Sequence, residues 1–174
     1  MHRIRQTPVP EYVRRHWRII DEIERQTDRG AAIIGAAYLE ERLTEAIRSR
    51  FVPGNNIETD LLGFSGAVGT FSAKIDLAFL LGLIGPQAYR DLHLIRRIRN
   101  DFAHVMEPLT FAAPKVANRC RELYLPTHLL MPGQNVLPQE PRAQYLAAVM
   151  LLFNLIWGEM YKKKAPAEPA VNTP

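Results

Sequence analysis

Arg99, Asn100 and His104 are the residues of this chain whose types and spacing could do chemistry. They stand in the stretch RNDFAH, which closes the helical pattern LHLIRRIRNDFAHV. Arginine offers a planar, permanently charged fork that matches phosphate oxygens two at a time. Histidine is the side chain whose ordinary pKa allows proton transfer near neutral pH. With a polar residue between them, such a set could handle an RNA phosphate without any metal.

The helix that must position these residues complicates the picture. On a wheel of about 100° per residue, His93, Arg97, Asn100 and His104 share one face, and Leu92, Ile95, Ile98, Phe102 and Val105 form the core stripe. Arg99 stands about 140° from His104, nearer the apolar edge. A joint site therefore needs the arginine to reach round, or two copies of the helix to meet across a symmetric dimer. Structural roles compete with this: Arg99 as an ion-pair partner of Asp76 or of a glutamate in the second helix, and His104 as a last-turn histidine favoured by the helix dipole. The spacing alone is weak in a chain with 17 arginines and five histidines. Arg121 and His128 give a looser version of it, split by Pro126.

Arg90, His93, Arg96 and Arg97 form a basic strip on the outer side of the same helix. This is a candidate nucleic-acid contact whose competing role is a solvated helix face. Arg14, Arg15 and Arg18 with His16 and Trp17 make a second basic patch with an aromatic, open to phosphate contact or to surface packing.

Around this helix the chain reads as helical almost throughout. A first helix is expected over 11–27, with Val13, Trp17, Ile20 and Ile23 at core spacing. A second runs from about 31 to 50, with Ile33, Ile34, Ala37, Leu43 and Ile47 inward and Glu40, Glu41, Arg42 and Glu45 outward. Its small residues Ala31, Gly35 and Ala36 would admit a close neighbour. Residues 52–69 are a Gly- and Asn-rich loop with a short helical turn near Ile57–Leu62. Thr70 or Ser72 caps a third helix carrying Ile75, Leu77, Phe79, Leu80 and Leu83. Gly85-Pro86 opens the fourth, about 86–106, which Pro108 stops. Pro114 and Pro126 frame a fifth, about 113–124, and Pro141 starts the last, about 141–163. This predicts an all-α, single-domain bundle of five to six helices over 11–164, between a flexible N-terminus 1–10 and a disordered Pro/Ala-rich tail 165–174.

Composition bounds the function. The 174 residues suffice for one domain with a real core, and the net charge of +4 permits a nucleic-acid partner without requiring one. Cys120 stands alone, which excludes an internal disulfide and predicts a buried, inert thiol. The N-terminus MHRIRQTPVP has no apolar run, so a cytoplasmic protein is expected. The apolar stretch LAAVMLLFNLIW falls short of the roughly 20 residues of a bilayer span and predicts a buried helix, with no membrane partner. No HExxH motif or His/Cys cluster points to a metal, no GxxxxGK[ST] or GxGxxG to a nucleotide, and no serine elbow to a hydrolase; no cofactor is expected. The glycines at 63, 66 and 69 lie between helices and read as a turn.

RNDFAH is similar to the Arg-x(4–6)-His signature of the HEPN superfamily, where the residue after Arg is typically Asn, His or Asp. More of the chain resembles the mannitol operon repressor (MltR) family: Asp28-Arg29-Gly30 leading into its second helix, LLGFSGAVGTFSAKIDLAFLLGLI at 61–84, and YRDLHLIRRIRNDFAH at 89–104. That resemblance covers roughly residues 20–125. The HEPN likeness implies a homodimer with a composite RNA-cleaving site, Arg99 on the phosphate, His104 as general acid or base, and Asn100 orienting one of them. The MltR likeness implies a transcriptional regulator, and many HEPN-like proteins are non-catalytic binding modules. The first expectation is thus metal-independent RNA binding or cleavage, and the alternative is a non-enzymatic regulator acting through protein–protein contacts. A DNA-reading repressor is less supported, because no helix-turn-helix stands out.

Overall fold

The computed structural model describes residues 11–52, 56–130 and 135–161; the expected flexible N-terminus 1–10 and tail 165–174 lie outside the described residues. Eight helices follow in order: α1 Glu11–Arg25, α2 Asp28–Arg48, α3 Ile57–Leu62, α4 Phe71–Leu80, α5 Pro86–His104, α6 Pro114–Arg121, α7 Tyr124–His128 and α8 Pro141–Tyr161. Among the described residues there is no strand. The all-α architecture is as expected, with eight helices among the described residues in place of five to six, because α3 is a true short helix and a further one, α7, follows the expected fifth helix.

Local chemistry explains the boundaries. The Thr27 side chain accepts from Gly30 N at 3.2 Å, and Thr70 accepts from Ala73 N at 3.2 Å, so each satisfies an orphan donor in a first helical turn. Pro86 and Pro114 occupy first-turn positions of α5 and α6, where a missing N–H costs nothing. Helix α5 ends at His104 because Val105 turns extended, four residues before Pro108 could act. In the 63–70 connection, a Cβ on Gly66 would collide with the carbonyls of Asp60 and Leu61, and one on Gly69 with those of Gly63 and Phe64. These glycines permit backbone to lie on backbone, as a turn requires.

Helix α2 is the hub, packing against α8, α5, α4 and α1, while α8 also covers α6 and α7. Its buried face is Ala31, Ala32, Gly35, Ala36, Leu39, Leu43, Ala46 and Ile47. Ile33 and Ala37, expected inward, face outward, and at Gly35 α8 comes too close for a larger residue. A Cβ on Gly35 would sit 3.2 Å from both the Tyr145 ring and Val149. Arg42 and Glu40 depart from the expected outer face as well. Arg42 is buried, pairs with Glu45 at 2.7 Å and lies over the Tyr38 ring, and Glu40 accepts from the buried Lys74 at 3.0 Å. Trp17 and Leu80, read as core, are 56% and 81% exposed.

Helix α8 is long and apolar enough over Pro141–Met160 to cross a membrane, and half of that span is buried within the fold. Tyr145, Ala148, Val149, Leu152 and Ile156 are all fully covered. The Tyr145 hydroxyl donates to Ala32 O at 2.7 Å, which fixes α8 on α2 by one buried hydrogen bond inside an apolar contact.

Candidate functional site

Helix α5 carries every site residue proposed from the sequence, and three acidic side chains determine how it is held. Asp91 is fully buried, and its carboxylate accepts from Tyr124 N and Leu125 N at 2.8 Å each. It thereby caps α7, a helix that begins at Tyr124, where the expected fifth helix was to end. Pro126 sits inside the first turn of α7, where its missing N–H is harmless. Burial pushes the Asp91 carboxyl above its ordinary value, against the two backbone donors and the charges of Arg90 and His128. Asp101 takes Lys115 at 2.9 Å and Arg119 in close contact, tying α6 to the end of α5.

The third acid works from outside the helix. Asp28 accepts from Phe111 N at 2.9 Å and from Arg142 at 2.5 Å, while Arg29 donates to Val105 O and Glu107 O at 2.7 and 2.8 Å. Arg142 also donates to the carbonyls of Glu24 and Gln26. The Asp28-Arg29-Gly30 segment therefore clamps the chain that leaves α5. None of these three acids stood out in the sequence as a positioning residue. An acid flanked by core residues, as Asp91 is by Leu92, was the available signal.

Arg99 and His104 both lie on α5, and no hydrogen bond joins them among the described residues. Arg99 is half-buried, and its charge is felt by the buried Tyr145 hydroxyl, whose pKa burial raises strongly while Arg99 opposes the rise. His104 is exposed on the last turn of α5, and Asn100 is half-buried between them in sequence. Among the described residues, no side-chain hydrogen bond or ion pair involves any of the three. The alternative expectation that Arg99 pairs with Asp76 is also corrected: Asp76 takes the Tyr89 hydroxyl at 3.0 Å and lies 3.2 Å from His93 Nε2. Arg121 and His128 fall on separate helices, and His128 Nδ1 lies 2.9 Å from Tyr124 O, within its own helix.

The second set does converge. Arg90, His93, Arg96 and Arg97 line one cleft of about 390 Å³ together with Tyr89, Leu94 and Glu122, the residue that ends α6. His93 is turned toward Asp76 and meets the edge of the Tyr89 ring, at 4.6 Å between centroids; Tyr89 in turn packs on Phe79 at 4.7 Å. The three arginines make no ion pair among the described residues, and the buried Arg96 Nε has no hydrogen-bond partner. Elsewhere guanidinium groups are used structurally, as at Arg29, Arg42, Arg119 and Arg142. Of the other basic patch, Arg14, Trp17 and Arg18 are exposed on α1. No group of three His, Cys, Asp or Glu able to hold a metal occurs among the described residues.

Fold and site together define an all-α bundle with an arginine-lined cleft along one central helix. Comparison with solved structures finds the same fold in the MtlR–HPr complex from Escherichia coli, with a TM-score of 0.65 and 20% identity, over 80% of this chain and 96% of that one. That neighbour is the mannitol operon regulator, so the expected MltR-like fold is present here. No family model matches the sequence, and no curated protein matches it.

Proposed function

We propose that this chain is a non-enzymatic, cytoplasmic regulatory module that acts by binding another protein, with HPr as the first partner to test. The observation that carries this reading is the likeness of fold over 96% of an MtlR chain solved in complex with HPr. The arginine-lined cleft supports it further, because a recognition surface needs charges that the fold itself has not neutralised. Titration of purified HPr into this protein by isothermal calorimetry should give saturable binding in the micromolar range usual for transient regulatory contacts. Absence of binding with both proteins at about 100 μM, well above such a Kd, would overturn it.

A second reading, RNA cleavage, draws on one specific observation: the side chains of Arg99, Asn100 and His104 are unengaged among the described residues, as a site awaiting its substrate would leave them. In this reading Arg99 binds the phosphate, His104 transfers the proton, and Asn100 orients one of them. A homodimer supplies the second half of the site, since the helix separates Arg99 from His104 by about 140°. An RNA cleavage assay in EDTA compares wild type with His104→Ala. Cleavage that disappears in the variant supports this reading, and equal activity in both sinks it.

A further inference from the structure

We propose that the cleft between α5 and the end of α6 docks an acidic segment of a protein partner, with Arg90, Arg96 and Arg97 receiving its carboxylates. The proposal rests on the protein-contact reading above and specifies the surface and the chemistry of what it recognises. Its basis is a concentration of charge without internal compensation. Three guanidinium groups from two turns of one helix line the same cleft, and none has an ion-pair partner among the described residues. Arg90 and Arg97 are exposed and Arg96 is half-buried, so the guanidinium groups lie where an incoming carboxylate can meet them. Arginine is the cation suited to this, since its fork takes both oxygens of a carboxylate.

One observation favours an acidic peptide over a nucleic-acid backbone: the aromatic groups beside the arginines are committed to one another. Phe79, Tyr89 and His93 form a contiguous ladder in which Tyr89 and His93 are additionally held by Asp76, and this arrangement is unlike the open ring platforms that stack bases. Phe79, which packs on Tyr89, is 38% exposed and gives the cleft an apolar neighbour. Acidic and apolar side chains alternating in one segment fit such a surface.

The test is fluorescence anisotropy with a labelled synthetic peptide of alternating glutamate and leucine, its glutamine counterpart, and a single-stranded RNA oligonucleotide of equal charge. The full-length protein is compared with Arg90→Glu/Arg97→Glu, two exposed positions whose reversal leaves the core untouched; circular dichroism verifies the helix content. Expected are binding of the glutamate peptide, loss of affinity by about tenfold or more both in the double variant and with the glutamine peptide, and weakening as salt rises. No binding of the glutamate peptide, or equal binding by wild type and variant, overturns the proposal. Tighter, arginine-dependent binding of the RNA overturns it in favour of a nucleic-acid cleft. Titrating HPr into the same two proteins separates this outcome from the parent reading. HPr binding retained alongside failed peptide binding leaves the regulatory module standing without this cleft, and loss of both removes the two together.

Discussion

Asp91 shows how much a single buried acid decides in this molecule. Its carboxylate is the only side chain that accepts from Tyr124 N and Leu125 N among the described residues, and it is fully covered. Asp91→Ala should lower the unfolding free energy by about 2–4 kcal/mol, since two buried donors lose a charged acceptor. The pH dependence follows from the direction of its shift. A carboxyl whose folded pKa is raised binds its proton more tightly in the folded state. Its stabilising share is therefore present below the unfolded value and lost as pH rises through the folded one. Relative to Asp91→Asn, the wild-type protein should gain stability between about pH 7 and pH 4, measured by urea unfolding at each pH. Cys120 makes the complementary case. Burial pushes its thiol up to about 12, outweighing the nearby Arg121, so the native protein should resist thiol reagents at mildly alkaline pH and react only on unfolding. The expected inert cysteine was legible from its type and singleness, whereas the cap role of Asp91 was not. The sequence places Asp91 beside core residues, but its two partners lie more than 30 positions away.

At the scale of elements, the close approach of α2 and α8 organises the core. Gly35 is where it is tightest, and the Tyr145 ring there is anchored by its hydrogen bond to Ala32 O. Gly35→Leu should cost about 1–3 kcal/mol or more by overpacking, read as a fall in the urea midpoint with little change in slope. The small-residue run Ala31, Gly35 and Ala36 foretold a close neighbour without naming it. Periodicity failed for Ile33 for the same reason: where helices touch closely, a small side chain buries better than a large one. Trp17 and Leu80 failed differently. Trp17 stands on the first half of the amphipathic α1, whereas α4 has little amphipathicity to place Leu80, on its final turn.

Across the whole molecule, the segment Asp28–Arg29 joins four stretches of chain: the α1–α2 junction, the exit from α5, the Phe111 turn and the start of α8. Asp28→Ala should destabilise the protein by about 1–3 kcal/mol, a value held down by the partial exposure of the pair, while thermal unfolding stays a single transition. Oligomeric state belongs to this scale too. If the composite-site reading holds, light scattering should give twice the 19.8 kDa chain mass. By itself the sequence determined the helical class, the helix starts near Thr70, Pro86 and Pro114, the turn glycines and the buried cysteine, because each depends on neighbours within a few residues. Tertiary structure alone decided that α7 is separate, that α2 turns its small face inward, and that four basic residues of α5 share a cleft with Glu122. These outcomes depend on which distant segments meet, and no local pattern of residues encodes that meeting.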